Sequence, residues 1–301
     1  MLVWKLEVHG RWVGDTGDKV TDTGRETYTP AAPSRGVSIR QFLRGSVPWA
    51  ALERVAEELG DRYGFDPVHI RFLEAENWLS TPLVLNDQYF VKVVSPQNAV
   101  VHRLFTAGRN LGAFSSGTAG FFEAVDSPAA MAERELAATE QMRDIGVNVP
   151  EPVEAFGVDD LGVLVLEYLP AFSPLDELAV EEIGAWAPTV FEMLATMHAN
   201  GLAHGDLRGE NLLVSGGEVY VIDATSVEPD AIEGAKPYDI ACALGAFAPH
   251  VGADAAVEAA LSAYEIDDLL AAREFLDFVN IRPDHDFDAA EVKGTIETRA
   301  D

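Results

Sequence analysis

Lysine is nearly missing from this chain. Five lysines (Lys5, Lys19, Lys92, Lys236 and Lys293) and 16 arginines face 50 acidic residues, giving a formal charge of −29 and a pI near 4.4. The acids are scattered through segments that otherwise look folded, so the chain repels itself unless salt screens it. That balance looks like that of a protein from a salt-accumulating halophile, the alternative being an ordinary acidic cytosolic protein. It argues against direct binding to nucleic-acid backbones, which calls for basic stripes. Cysteine is scarcer still. Cys242 stands alone, so no intrachain disulfide can form, and zinc-finger spacing is absent. Long apolar runs are missing as well: the longest, near Ile240 to Pro249, is far too short to span a bilayer. The first residues hold no signal-peptide core. The expectation is a cytoplasmic protein without a membrane partner. With 48% hydrophobic residues among 301, it can bury a sizeable core.

Against these absences, residues 204 to 223 read HGDLRGENLLVSGGEVYVID. NLLV, a Ser215-Gly216-Gly217 turn and EVYVID predict a β-hairpin. A turn centred near Gly217 sets Asn211 opposite Asp223, with Asp206 in the loop that leads in. Converging oxygen ligands of this kind suit Mg²⁺, which keeps several waters and takes one or two protein oxygens plus substrate phosphates.

A second signal lies upstream. In QYFVKVV, Lys92 interrupts an apolar, β-branched run, and strand alternation puts it on one face with Phe90 and Val94. A lysine on an apolar face needs a partner. Ser127-Pro128 opens a helix that ends at Gly146, with Met131, Glu135, Ala138 and Met142 on one stripe. Glu135 is the natural partner for Lys92, and Glu133, on a less inward face, is the fallback.

HGDLRGENLLV resembles the catalytic loop of the protein-kinase-like superfamily, H-x-D-L-x-x-x-N. VIDAT stands where that superfamily keeps its second metal-binding Asp, with Ala224 and Thr225 in place of the usual Phe and Gly. The resemblance covers roughly residues 68 to 250. It implies a two-lobed α+β fold, a small β-rich lobe and a mostly helical one, with ATP and Mg²⁺ (or Mn²⁺) as cofactors. It also assigns roles. Lys92, oriented by Glu135, anchors the α- and β-phosphates, while Asn211 and Asp223 hold the metal. Asp206 accepts the acceptor's hydroxyl proton or orients a water. Arg208 offsets charge on the transferring phosphoryl, and His204 and Asp239 brace the loop. The Glu167 carbonyl and the Leu169 amide meet the adenine edge, with Leu166 behind it. A glycine-rich loop is absent, since AENWLST holds no glycine, so Ser80 or Thr81 and backbone amides would have to hold phosphate.

SVEPDAIEGAKP is too short for a long activation segment, and no A-P-E motif occurs. The VPxP after the helix resembles the corresponding stretch of the atypical RIO-type serine/threonine kinases and related small kinases. The missing glycine loop is shared by RIO-type and aminoglycoside-phosphotransferase-like enzymes, and the catalytic loop does not settle the subfamily. RIO-type loops usually have Ser where Arg208 stands. A small-molecule kinase of the aminoglycoside- or choline-kinase kind and a pseudokinase scaffold therefore remain as alternatives. The acceptor, protein or small molecule, is not encoded in these motifs.

Three segments are expected: an extension over 1–66, partly disordered with one helix from about Trp49 to Tyr63; a kinase-like lobe over 67–170; and a second lobe over 171–301. The first lobe carries an insertion at 95–126 with Ser115, Ser116 and Thr118 as candidate phospho-acceptors. Gly14 to Arg35 reads as loop or disordered chain. Pro188 predicts a helix break or kink. Helices are expected near Asp267 to Val279 and Asp288 to Thr298, with IRPDHDFD between them as a solvated turn.

Overall fold

The computed structural model describes residues 5–6, 20–22, 25–28, 47–73, 80–98, 127–224, 232–282 and 285–301. Most of the 95–126 insertion, with Ser115, Ser116 and Thr118, lies outside them, as does Thr225. The chain divides into two compact units. One comprises Met1–Phe105, Ala124–Leu136 and Glu151–Tyr168, and the other Thr106–Glu123, Ala137–Pro150 and Leu169–Asp301.

The first unit is built on a six-stranded sheet in the order β1-β5-β6-β7-β9-β8. Its strands are β1 (Lys5–Leu6), β5 (His69–Phe72), β6 (Thr81–Leu85), β7 (Tyr89–Val94), β8 (Pro152–Val158) and β9 (Leu161–Glu167). Asn86 and Asp87, both at positive φ, make the tight β6–β7 turn that residues of this kind tolerate. Alternation then sorts the side chains. Leu83, Leu85, Val91, Val93, Val163 and Val165 pack with Ala51, Leu52, Val55, Ala56 and Leu59 of helix α1 (Trp49–Tyr63). On the other face, Leu164 and Leu166 pack with Ala132 of helix α2 (Pro128–Asp144), joined by Phe90 and Leu136. Helix α1 is thus a packing element, stapled at its edge by Arg62 and Tyr63, which donate to Glu154 of β8 at 2.7 and 2.8 Å.

A three-stranded sheet of β2 (Val20–Asp22), β3 (Arg25–Tyr28) and β4 (Val47–Pro48) corrects the reading of Gly14 to Arg35 as loop. Its strands are two to four residues long, too short for periodicity to announce them. Strand β8 was likewise not legible. Phe156 is its one buried residue, the others run irregularly between half-buried and exposed, and a register shift interrupts its pairing between Pro152 and Glu154.

The second unit is mostly helical: α3 (Val180–Ala199), α4 (Ile232–Val251), α5 (Ala253–Leu261), α6 (Ile266–Arg273), α7 (Leu276–Ile281) and α8 (Ala289–Ala300). A small sheet of β10 (Ser173–Pro174), β11 (Leu212–Ser215) and β12 (Glu218–Val221) completes it. Helix α4 is the axis, with Tyr238 through Gly245 and Phe247 buried. Two expectations fail here. The expected break at Pro188 does not occur: helix α3 is continuous across it, because Ile183 and Ala187 before it and Val190, Phe191, Leu194 and Met197 after it are buried and packing outweighs the missing hydrogen bond. The single helix expected over Asp267 to Val279 is two, with Glu274 and Phe275 between them. No helix of the described residues is long and apolar enough to cross a membrane.

Candidate functional site

In the first unit, β7 delivers Lys92 to the face covered by α2. Its Nζ donates to both carboxylate oxygens of Glu135, at 2.8 and 2.9 Å. Both side chains are largely buried, 9% and 17% exposed, so each charge depends on the other. Glu133 is exposed and points elsewhere. Gly162 of β9 makes room for this helix. A Cβ there would sit 2.0 Å from the carbonyl oxygen of Pro128, the first residue of α2.

The two hydroxyl candidates for phosphate separate by face. Thr81 is registered against Val93, in the core shared with α1. Lys92 is registered against Pro82, and alternation carries the Lys92 face to Ser80. The buried Ser80 Oγ has no hydrogen-bond partner among the described residues. At the end of β9, the Glu167 amide donates to the Glu151 carbonyl at 2.8 Å, and Leu166 is buried behind. Leu169 is buried in the second unit.

In the second unit the loop before β11 is held from below by α4. The carboxylate of Asp239, wholly buried, accepts from the amides of His204 and Gly205 at 2.6 and 2.7 Å. His198 Nε2 lies 3.1 Å from the same carboxylate, and Tyr264 OH lies 2.8 Å from His198 Nδ1. With Nε2 as donor to Asp239, Nδ1 accepts from the tyrosine, and the brace extends from the loop to the chain beyond α5. His204 is fully buried and works as a neutral bridge. Its Nδ1 accepts from the Asp206 amide at 3.2 Å, and its Nε2 donates to the Ile222 carbonyl at 3.0 Å. Burial lowers its pKa, outweighing the pull of Asp239 and Asp206, so it braces rather than carries charge.

The hairpin register differs from the expected one by one residue. Ser215 pairs with Glu218 and Leu212 with Val221, so the two-residue turn is Gly216-Gly217, both at positive φ. Asn211 is therefore opposite Ile222, whose amide donates to the Asn211 carbonyl at 3.0 Å, and Asp223 follows one residue later at φ 60°. The Asn211 amide nitrogen donates to the Asp206 carbonyl at 2.8 Å, which leaves its Oδ1 for a cation. Among the described residues no group of three or more His, Cys, Asp or Glu gathers at metal-binding distance. One amide oxygen and one carboxylate are the donor set of an ion that keeps its waters and shares a phosphate ligand.

Arg208 Nη2 lies 3.3 Å from Asp206 Oδ2, and its Nη1 pairs with Glu210. The other Asp206 oxygen, Oδ1, accepts from Arg282. Sequence reasoning missed Arg282 and misread its surroundings. The IRPDHDFD stretch is no solvated turn: His285 and Phe287 are buried, and the Arg282 side chain is 14% exposed. Gly245 of α4 admits them, since a Cβ there would come within 2.8 Å of Phe287 and 3.1 Å of His285. A short polar run rich in acids carries no signal of this, because the space is provided by another element.

Residues 123–247 match the family model described as RIO domain. Over 98 residues the chain is 34% identical to the RIO-type serine/threonine-protein kinase Rio1 of Haloferax volcanii, covering 31% of this chain and 32% of that one. Over 111 residues it is 31% identical to the KEOPS complex subunit Bud32 of Pyrococcus abyssi, covering 36% and 49%. The chain thus spans between a third and a half of the length of these relatives. Among solved structures, it is similar to an aminoglycoside-3'-phosphotransferase of type VIII, with a TM-score of 0.47, 15% identity and coverage of 76% of this chain and 99% of that one.

Proposed function

We propose that this chain, whose residues 123–247 match the RIO-domain family model, is an ATP- and divalent-metal-dependent phosphotransferase acting on serine or threonine, or an ATPase of the same chemistry. The observation that carries the reading is the buried Lys92–Glu135 pair. Lys92 lies upstream of the matched segment and Glu135 within it, and packing alone does not call for the pair, since a buried ion pair adds little stability over an apolar one.

Phosphoryl transfer asks the protein for positioning and for neutralised charge. Lys92, its ammonium aimed by Glu135, anchors the α- and β-phosphates, and the Ser80 hydroxyl donates to a phosphate oxygen. Asn211 and Asp223 hold the divalent ion, which when bound neutralises charge on the phosphate oxygens. Asp206 orients the attacking hydroxyl or water and accepts its proton. Arg208 balances charge beside it. Asp239 and His204 keep the loop in place, while the Glu167 carbonyl and Leu169 amide read the adenine edge. With a formal charge of −29, the protein works in the concentrated salt of a halophile's cytoplasm. Its unfolding temperature should fall on transfer from molar KCl to dilute buffer.

Incubation with γ-labelled ATP and Mg²⁺ in molar KCl tests the reading. Label on the protein itself, or released phosphate, is expected. Turnover only with added small alcohols would make it a small-molecule kinase. Nucleotide binding without any turnover would make it a scaffold.

A further inference from the structure

The catalytic loop holds Asp206 by its backbone, but its carboxylate is held from elsewhere. Arg282 follows α7, beyond the segment that matches the RIO domain. Its Nη2 donates to Asp206 Oδ1, its Nη1 donates to Tyr238 OH at 2.6 Å, and Nη1 also approaches Cys242 Sγ at 3.7 Å. Tyr238 and Cys242 are buried residues of α4, the helix that also carries Asp239. One helix thus braces the loop backbone through Asp239 and, through the phenol of Tyr238, seats the guanidinium that meets the loop's carboxylate.

The structure assigns Arg282 to the site as the residue that positions the Asp206 carboxylate for the incoming hydroxyl. The assignment rests on the phosphotransfer reading above. Arg282 takes one oxygen and Arg208 lies against the other, so the carboxylate is set between two planar forks and its rotation is restricted. Stability is a poor reason for such a residue. Burying a guanidinium costs several kcal/mol, which its partner only roughly offsets, and an apolar side chain beside Tyr238 and Cys242 would do as well. Burial is the largest single influence and would lower the pKa of Arg282, but Asp206, Tyr238 and Cys242 together outweigh it and the net shift is upward, so the guanidinium stays charged. Arg208 is tied to Glu210 as well. Arg282 instead has a neutral second partner, the Tyr238 hydroxyl, and is the fixed member of the pair of forks.

The test uses the full chain in molar KCl, with steady-state ATP turnover, Mg·ATP affinity and thermal unfolding measured side by side for wild type, R282M and R282K. The expected result is a fall in kcat on the order of 10²-fold in R282M, the size of a lost positioning contact, with KM and nucleotide affinity unchanged. R282K should fall between the two, because an ammonium keeps the charge and loses the fork. A kcat in R282M that matches wild type per folded molecule would overturn the assignment. A kcat that rises would make the pair a brake and also overturn it. Should R282M not fold, R282K decides, and wild-type kcat there overturns the assignment. Wild type without turnover fails differently: it removes the phosphotransfer reading first and this assignment with it.

Discussion

Lys92 and Glu135 lie 43 positions apart and meet with both carboxylate oxygens on one ammonium. The pair joins strand β7 to helix α2 across the face of the sheet opposite α1. Removing either partner strands a buried charge. We expect E135A to lose on the order of 3 kcal/mol of stability and K92M less, since the glutamate is the more exposed of the two. The double variant K92M/E135A should lose less than the sum, which urea unfolding in molar KCl measures through a double-mutant cycle. K92M should also weaken Mg·ATP binding at least about tenfold by titration calorimetry.

Gly162 sets the distance of that helix from the sheet. In G162A the new Cβ meets backbone, the Pro128 carbonyl, which cannot rotate away. The helix must move, so the unfolding midpoint should drop by an amount typical of overpacking, about 1–3 kcal/mol. Nucleotide affinity should fall with it, because Glu135 moves too. Retained affinity in a folded G162A would show that the Lys92–Glu135 geometry is not needed for binding.

His285 gives the stability a pH dependence. Burial first, then the neighbouring Arg282 and Arg208, push its pKa down to about 3, from an unfolded value near 6.5. The folded state therefore refuses a proton that the unfolded chain accepts. Stability is full above pH 6.5 and falls as the pH drops toward 3, by roughly 1.4 kcal/mol per pH unit for this one group. Between pH 6 and 5, above most of the carboxylate titration, the slope of stability against pH should be shallower in H285Q than in wild type. Equal slopes would contradict the neutral, buried imidazole.

Cys242 reports on the same pocket. It is wholly buried, and burial raises its pKa to about 12, with Arg282 opposing the rise. The native thiol should resist iodoacetamide at pH 8 and react only after unfolding, which mass spectrometry follows directly. Fast labelling of the native protein would mean that the pocket seating Arg282 is open.

Much of this was legible in the sequence, for physical reasons that differ residue by residue. Lys92 stood out because a charge on an apolar strand face violates alternation. Glu135 stood out because it interrupts a helical stripe, and the two violations explain each other. The α+β division came with the resemblance of HGDLRGENLLV to the protein-kinase-like catalytic loop, with which the strand-like runs upstream and helical stripes downstream agree. The hairpin was found, but its register slipped by one, because Ser-Gly-Gly reads equally as a three-residue turn or as a two-residue turn after Ser215. Ser80 and Thr81 could not be told apart until the Lys92–Pro82 pairing fixed which face each takes. Arg282 and His285 were hidden for another reason. His285 takes the space left by Gly245 and Arg282 sits on Tyr238 and Cys242, all three on helix α4 far upstream, and no local pattern encodes this.

The central claim is that Asp206 and Asp223 serve phosphoryl transfer, and the rate of ADP formation from Mg·ATP in molar KCl tests it most directly. Wild type should turn over, D206N should retain Mg·ATP affinity and lose turnover on the order of 10²-fold or more, and D223N should lose turnover with a raised requirement for Mg²⁺. Turnover in D206N and D223N equal to that of wild type would contradict the account.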